Sequence, residues 1–167
     1  MFRFVNHVQA HFFLAVGAVI LLSGCAAKTA KGLACIERRA IYVVSSGSTK
    51  VKIADVDFCQ SRIKKVIYEN AYPVDYAGDH SHSKIGLLSV TVRKAGLGAL
   101  EKLKTEADSK NPKKSVAIMT GIFRKASNAE AYRAQLQKKL GIRVKIVSHD
   151  LEARYDFESV RASTHSD

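Results

Sequence analysis

The alternation of hydrophobic periods between residues 88 and 146 constrains the fold of this chain most. Leu88, Val90 and Val92 alternate with Ser89, Thr91 and Arg93, the period of a half-buried strand. Leu100, Leu103 and Ala107 then share one face of a short helix that stops near Asn111-Pro112. Val116 to Thr120 is β-rich again. Ala129, Tyr132, Leu136 and Leu140 line a second helical face. Ser127 with Glu130 fits a capping box at its start, and Gly141 suits the position after its last turn. Val144 and Ile146 alternate with Arg143 and Lys145 in a last strand. Strand, helix, strand, helix, strand requires crossover connections and a sheet with helices packed on it. The expected class is α+β, a small sandwich of a mostly antiparallel or mixed sheet under helices.

Upstream, Ile41-Tyr42-Val43-Val44 and Thr49-Lys50-Val51-Lys52-Ile53 flank the polar gap Ser45-Ser46-Gly47-Ser48, which predicts a hairpin. Asp57 reads as an N-cap. Cys59, Ile63, Val66 and Ile67 follow at helical spacing, and Pro73 ends that segment. Asp79-His80-Ser81-His82 is the one cluster with metal-ligand chemistry. It lacks an identifiable third ligand and reads as a solvent loop. Residues 151–167 are polar, show no clear period, and read as a flexible tail.

The N-terminal segment has a different character. An apolar run from Phe12 to Leu21 ends in Leu22-Ser23-Gly24-Cys25. Its length and small-residue end mark a processing signal rather than a membrane span. The tetrapeptide resembles the lipobox of bacterial lipoproteins. That resemblance implies cleavage before Cys25 and lipidation of its thiol, with the membrane affinity that acyl chains confer. Ala26, where aspartate would resemble an inner-membrane retention signal, implies the outer membrane, with the domain facing the periplasm. The expected organisation is a signal over 1–24, a lipidated tether over 25–34, an α+β domain over 35–150 and the tail over 151–167.

Beyond that signal the chain keeps a net charge of about +11, from lysines and arginines spread along it. A scattered basic surface suits weak attraction to a polyanion better than base readout, so nucleic acid is disfavoured. Cys35 and Cys59 remain as an even pair in an oxidising compartment, which predicts one disulfide. It would close a loop of about 25 residues and contribute roughly 3 kcal/mol.

Val116-Ala117-Ile118-Met119-Thr120-Gly121-Ile122-Phe123, followed by Asn128-Ala129-Glu130-Ala131, Leu136, Leu140-Gly141 and Val144-Lys145-Ile146, resembles a half-repeat of the SPOR (sporulation-related repeat) domain. The similar segment is about residues 115–149. The resemblance implies a ferredoxin-like βαββαβ sandwich that binds peptidoglycan glycan strands. Met119 and Ile122 stand where the family often has polar residues. With no nucleophile elbow, phosphate-cradling glycine loop or zincin motif, the reading is a non-catalytic protein. It would be an outer-membrane lipoprotein binding or organising the envelope, through peptidoglycan or another polyanion. Arg93, Lys94, Arg143 and Lys145 are the expected contacts, and no cofactor is implied. The alternative is an accessory lipoprotein of a secretion, conjugation or pilus machine that binds a protein partner, for instance by strand addition.

Overall fold

The structure, a computed structural model, describes residues 35–164. Residues 36–164 belong to one compact unit. Its described part contains five strands: β1 (Ile36–Val44), β2 (Ser48–Asp57), β3 (Arg62–Pro73), β4 (Lys114–Met119) and β5 (Arg143–Ile146). Four α-helices accompany them: α1 (Tyr76–Ser81), α2 (Val90–Asp108), α3 (Ala129–Leu140) and α4 (His149–Thr164). The spatial order is β3-β2-β1-β4-β5. β1, β2 and β3 form an antiparallel meander, whereas β4 runs parallel to β1 and β5 parallel to β4.

This is the α+β sandwich with a mixed sheet that the alternating periods predict. It is not ferredoxin-like. The meander comes first and the two crossover helices follow, so β1 sits centrally with an antiparallel neighbour on one side and a parallel one on the other.

Alternate residues of each strand supply the core. Ala40, Tyr42 and Val44 of β1 share a face with Val51 and Ile53 of β2, Ala117 and Met119 of β4, and Val144 of β5. Onto that face pack Leu100, Leu103 and Ala107 of α2 and Tyr132, Leu136 and Leu140 of α3. Gly96 of α2 faces the tips of two tyrosines. A Cβ there would fall 1.8 Å from the Tyr76 hydroxyl and 2.5 Å from that of Tyr132. Tyr76 and Tyr132 are themselves within 3.3 Å of each other, hydroxyl to hydroxyl, and Thr49 continues the chain at 3.4 Å. Burial raises the pKa of both phenols.

Four local expectations change. Residues 62–73 form a strand, not a helix. Asp57 does accept backbone N–H bonds, from Cys59 and Gln60, both at 3.0 Å, but it closes the β2–β3 turn. Tyr68, Asn70 and Tyr72 then alternate toward α2, where all three donate to the Glu106 carboxylate at 2.8–2.9 Å. Val90 and Val92 open α2 instead of ending a strand, because the Ser89 hydroxyl accepts from Val92 N at 3.1 Å and caps the helix. The polar stretch from His149 to Thr164 is helical, with Ser148 accepting from Leu151 N at its start. The capping box is absent as well. Asn128 precedes α3 with no side-chain cap, and instead both accepts from Leu88 N and donates to Leu88 O.

Cys35 and Cys59 are both disulfide-bonded. The expected signal and tether, with Cys25, lie outside the described residues.

Candidate active site

The parallel strands β1, β4 and β5 end together, and ligands of open α/β sheets gather outside such carboxyl ends. Backbone bonds hold these ends in register: Thr120 N donates to Val44 O at 3.0 Å, and Val147 N to Met119 O at 3.1 Å. Each strand leads into a polar loop. After β1 comes Ser45-Ser46-Gly47-Ser48. After β4 comes Thr120 and a single 3-10 turn, Gly121–Arg124. After β5 comes Val147-Ser148 and the first turn of α4.

The first two loops touch. Ser46 Oγ accepts from Ile122 N at 3.1 Å. Gly121 has φ +61°, and a Cβ on it would fall 2.3 Å from Ser46 Oγ. Only glycine permits both the left-handed backbone and the approach. Ser45 Oγ donates to Ser48 O at 3.0 Å and lies 3.1 Å from Ser48 Oγ. Ser46 O and Gly47 O accept from Ala77 N and Val74 N, so the hairpin tip is also braced by the β3–α1 joint. The tip is a hydroxyl-rich, backbone-tethered loop against a glycine turn.

The third loop completes a charged centre. Arg124 Nη1 donates to Val147 O at 3.1 Å and to Glu152 Oε2 at 2.5 Å. Its Nη2 lies 3.1 Å from His149 Nδ1. Arg124 is 17% exposed and Glu152 31%. Arg124 Nε is buried and has no hydrogen-bond partner among the described residues. A guanidinium and a carboxylate meeting at the carboxyl ends of parallel strands can clamp an oxyanion and take a proton from water.

Phe123, beside Arg124, explains the Gly-x-Phe pattern. Its ring is buried, 4.8 Å from that of Tyr76 and 6.3 Å from that of Tyr132. It plugs the core under the loops while Gly121 closes on Ser46.

The residues expected to bind a polyanion are not brought together. Arg93 and Lys94 lie on the first turns of α2, over the helix-covered face. Arg143 and Lys145 are exposed on β5 and alternate with buried Val144, so they face the other side of the sheet. Asp79, His80 and His82 fall at α1. The Asp79 carboxylate accepts from Ser89 N and Ser89 Oγ, and His82 Nδ1 lies 2.7 Å from Gly78 O. No group of three or more metal-ligating side chains occurs among the described residues. Arg124 and Glu152 escape a sequence reading because they are 28 residues apart, one ending the 3-10 turn after β4 and the other in the first turn of α4. The available signal was a repeated context, a polar residue directly after β1 and β4 (Ser45, Thr120) and one residue beyond β5 (Ser148).

A family model for the Ppx/GppA phosphatase family matches residues 78–167. The chain belongs to the Ppx/GppA phosphatase family. The matched segment contains Arg124, His149 and Glu152. Solved structures with the same fold include the Aquifex aeolicus Ppx/GppA family member. It is 22% identical with a TM-score of 0.63, covering 72% of this chain and 38% of that one. An exopolyphosphatase from Cytophaga hutchinsonii ATCC 33406 is 18% identical with a TM-score of 0.61, covering 71% of this chain and 36% of that one. The chain thus spans less than two-fifths of the length of these two structures. No curated protein matches it.

Membership of the Ppx/GppA family overturns the SPOR-like lipoprotein reading and what that reading implied. A non-catalytic role, peptidoglycan, another envelope polymer or an envelope machine as partner, and an outer-membrane setting facing the periplasm are all withdrawn. The physical error lies in the Gly-x-Phe strand exit, which serves a loop-to-loop contact here and not a glycan groove. No helix among the described residues is long and apolar enough to cross a membrane.

Proposed function

We propose that this domain is the phosphoryl-binding half of a phosphatase that hydrolyses terminal phosphoanhydride bonds, as in a polyphosphate chain. The observation that carries the reading is the Arg124–Glu152 pair at the carboxyl ends of three parallel strands, beside the Ser45–Ser48 and Thr120–Gly121 loops. The exopolyphosphatases among the fold's solved examples support the substrate class.

In the resting state Glu152 occupies Arg124. A terminal phosphoryl group is a better bidentate acceptor for guanidinium, and it displaces the carboxylate. Glu152, released but adjacent, accepts a proton from water. The water oxygen forms a bond to phosphorus as the bridging P–O bond breaks. The shortened chain leaves with the bonding electron pair, and inorganic phosphate remains on Arg124. Charge spread over the phosphoryl oxygens is where a fixed guanidinium and backbone N–H groups stabilise most.

The test is phosphate release from tripolyphosphate by the full chain. Glu152→Gln should lower the rate by about 10²–10⁴-fold, with tripolyphosphate affinity retained. Arg124→Ala should weaken affinity itself. Wild-type rates in Glu152→Gln, or no binding of tripolyphosphate by the wild-type chain, would refute the assignment.

A further inference from the structure

The other face of the sheet, away from α2 and α3, carries a groove of about 480 Å³ at the opposite end of the strands from Arg124. Its floor is apolar: Ile41 of β1, Ala54 and Val56 of β2, and Val116 of β4, with Phe58 and Ile63 as a wall at the β2–β3 turn. Ile41 and Phe58 are 37% and 49% exposed, which is unusual for large apolar side chains in one contiguous patch.

Four cations line the same groove: Arg39, Lys52, Lys114 and Arg143. No carboxylate does. The strand register explains the layout. Arg39 pairs laterally with Ala54 and Lys114, and Ile41 with Lys52 and Val116, beyond which lies Arg143. Cross-strand partners share a face, so a central apolar strip is bordered by positive charge. The border is lopsided. Lys114 and Arg143 stand together at the β4–β5 end, whereas Val56, Phe58 and Ile63 supply most of the β2–β3 end, where the Arg39 guanidinium lies over the Phe58 ring, 4.4 Å from its centroid. Arg39 and Lys52 have ion-pair partners outside the groove, Glu37 and Glu69. Lys114 and Arg143 have none among the described residues.

We propose that this groove binds an amphipathic organic anion, with its head group on Lys114 and Arg143 and its apolar body along Ile41, Val116 and Val56 toward Phe58 and Ile63. Charge complementarity selects the occupant. A neutral hydrocarbon would leave the cations unused, and a polyanion without an apolar body would leave the floor wet. A protein partner is disfavoured by size. At about 4.8 Å per strand the groove crosses roughly 15 Å from β2 to β5, so a footprint about as long as it is wide covers roughly 200 Å², short of the roughly 800 Å² per side of a stable interface. Its volume lies within the usual range for small-molecule sites. The proposal is independent of the phosphatase reading.

The probe is decanoate, below its micellar concentration, titrated into the full chain. Methyl signals of Ile41, Val56, Ile63 and Val116 should shift together, and 1-decanol should bind about tenfold more weakly. The Lys114→Glu/Arg143→Glu double variant, on two exposed strand-end residues, should weaken decanoate about tenfold and leave decanol unchanged. Equal affinity for decanol, shifts confined to other residues, or an unaffected double variant would overturn the proposal. So would an acidic amphipathic peptide that shifts these methyls while decanoate does not. The wild-type methyl shifts stand as a test even if the double variant fails to fold.

Discussion

The two faces of this sheet are built from alternate residues of the same strands and obey different physics. Toward α2 and α3, β1 presents Ala40, Tyr42 and Val44, all at most 2% exposed. Toward the other side it presents Arg39, Ile41 and Val43, with Lys50, Lys52, Lys114, Arg143 and Lys145 around them. On the covered face even polar atoms are placed at fixed distances, as in the Thr49–Tyr76–Tyr132 chain and the triple donation to Glu106. On the other face most charges meet water, as in the Lys52–Glu69 pair, although Glu37 and Arg39 pair closely there with side chains 26% and 31% exposed. Burial fixes geometry on one face, and the other is free to vary in what it contacts. The catalytic candidate sits at neither. It lies on loops at the strand ends, where the covered core ends and backbone bonds take over.

The sharpest way to break this contrast is Phe123→Ala. The ring is buried against Tyr76 and Tyr132, so truncation removes transfer energy and leaves a cavity beneath the loops. The expected loss is about 3–5 kcal/mol in a denaturant titration. Because Phe123 lies next to Arg124, tripolyphosphate affinity should fall with it. A loss below about 1 kcal/mol would mean that the loops do not depend on the covered core.

The same contrast explains what was legible beforehand. The hairpin around Ser45–Ser48 could be read because its period and gap are local. So could β4, α3 and β5, whose alternation and spacing stay within about ten residues. β3 could not. Cys59, Ile63, Val66 and Ile67 happen to fall at helical spacing, and the polar alternation of Tyr68, Asn70 and Tyr72 makes sense only against Glu106, more than 30 residues on. Ser89 looked like an outward strand residue and is a helix cap. The parallel pairing of β1 with β4 joins Val44 to Met119, a distance over which no periodicity speaks. The same pairing, continued to β5, brings Arg124 to Glu152. The candidate site was therefore hidden for the reason that the topology was.

Glu106 tests the polar part of the covered face. Its carboxylate accepts from Asn70, Tyr68 and Tyr72, which hold its pKa below the ordinary 4.5, and Lys102 adds to the effect. A carboxyl group depressed by folding stabilises the folded state when ionised. Its contribution is fully present above the unfolded-state value near 4.5. It is lost as pH falls through the lower folded value. Wild-type protein should therefore lose melting temperature below about pH 4.5 more steeply than Glu106→Gln, and the two curves should converge in acid. At pH 7 the variant should melt lower than wild type, by less than Phe123→Ala does. Parallel curves across that range would show that the three donors do not prefer the charged form.

The smallest effect belongs to the open face. Lys52 and Glu69 are cross-strand neighbours on β2 and β3 with nitrogen and oxygen 3.1 Å apart, but their side chains are 45% and 54% exposed. Water and salt screen such a pair, and holding two long side chains in one geometry costs entropy that offsets the attraction. Lys52→Ala should thus change stability by no more than about 0.5 kcal/mol, and added salt should not widen the difference. A loss above about 1 kcal/mol would break the comparison between faces, because the open face would then carry the fold as well. Near-neutrality joined to a weaker affinity for decanoate would sharpen it. Lys52 would then contribute charge to a ligand without contributing stability to the sheet, as expected of a residue whose exposed pair with Glu69 is weak.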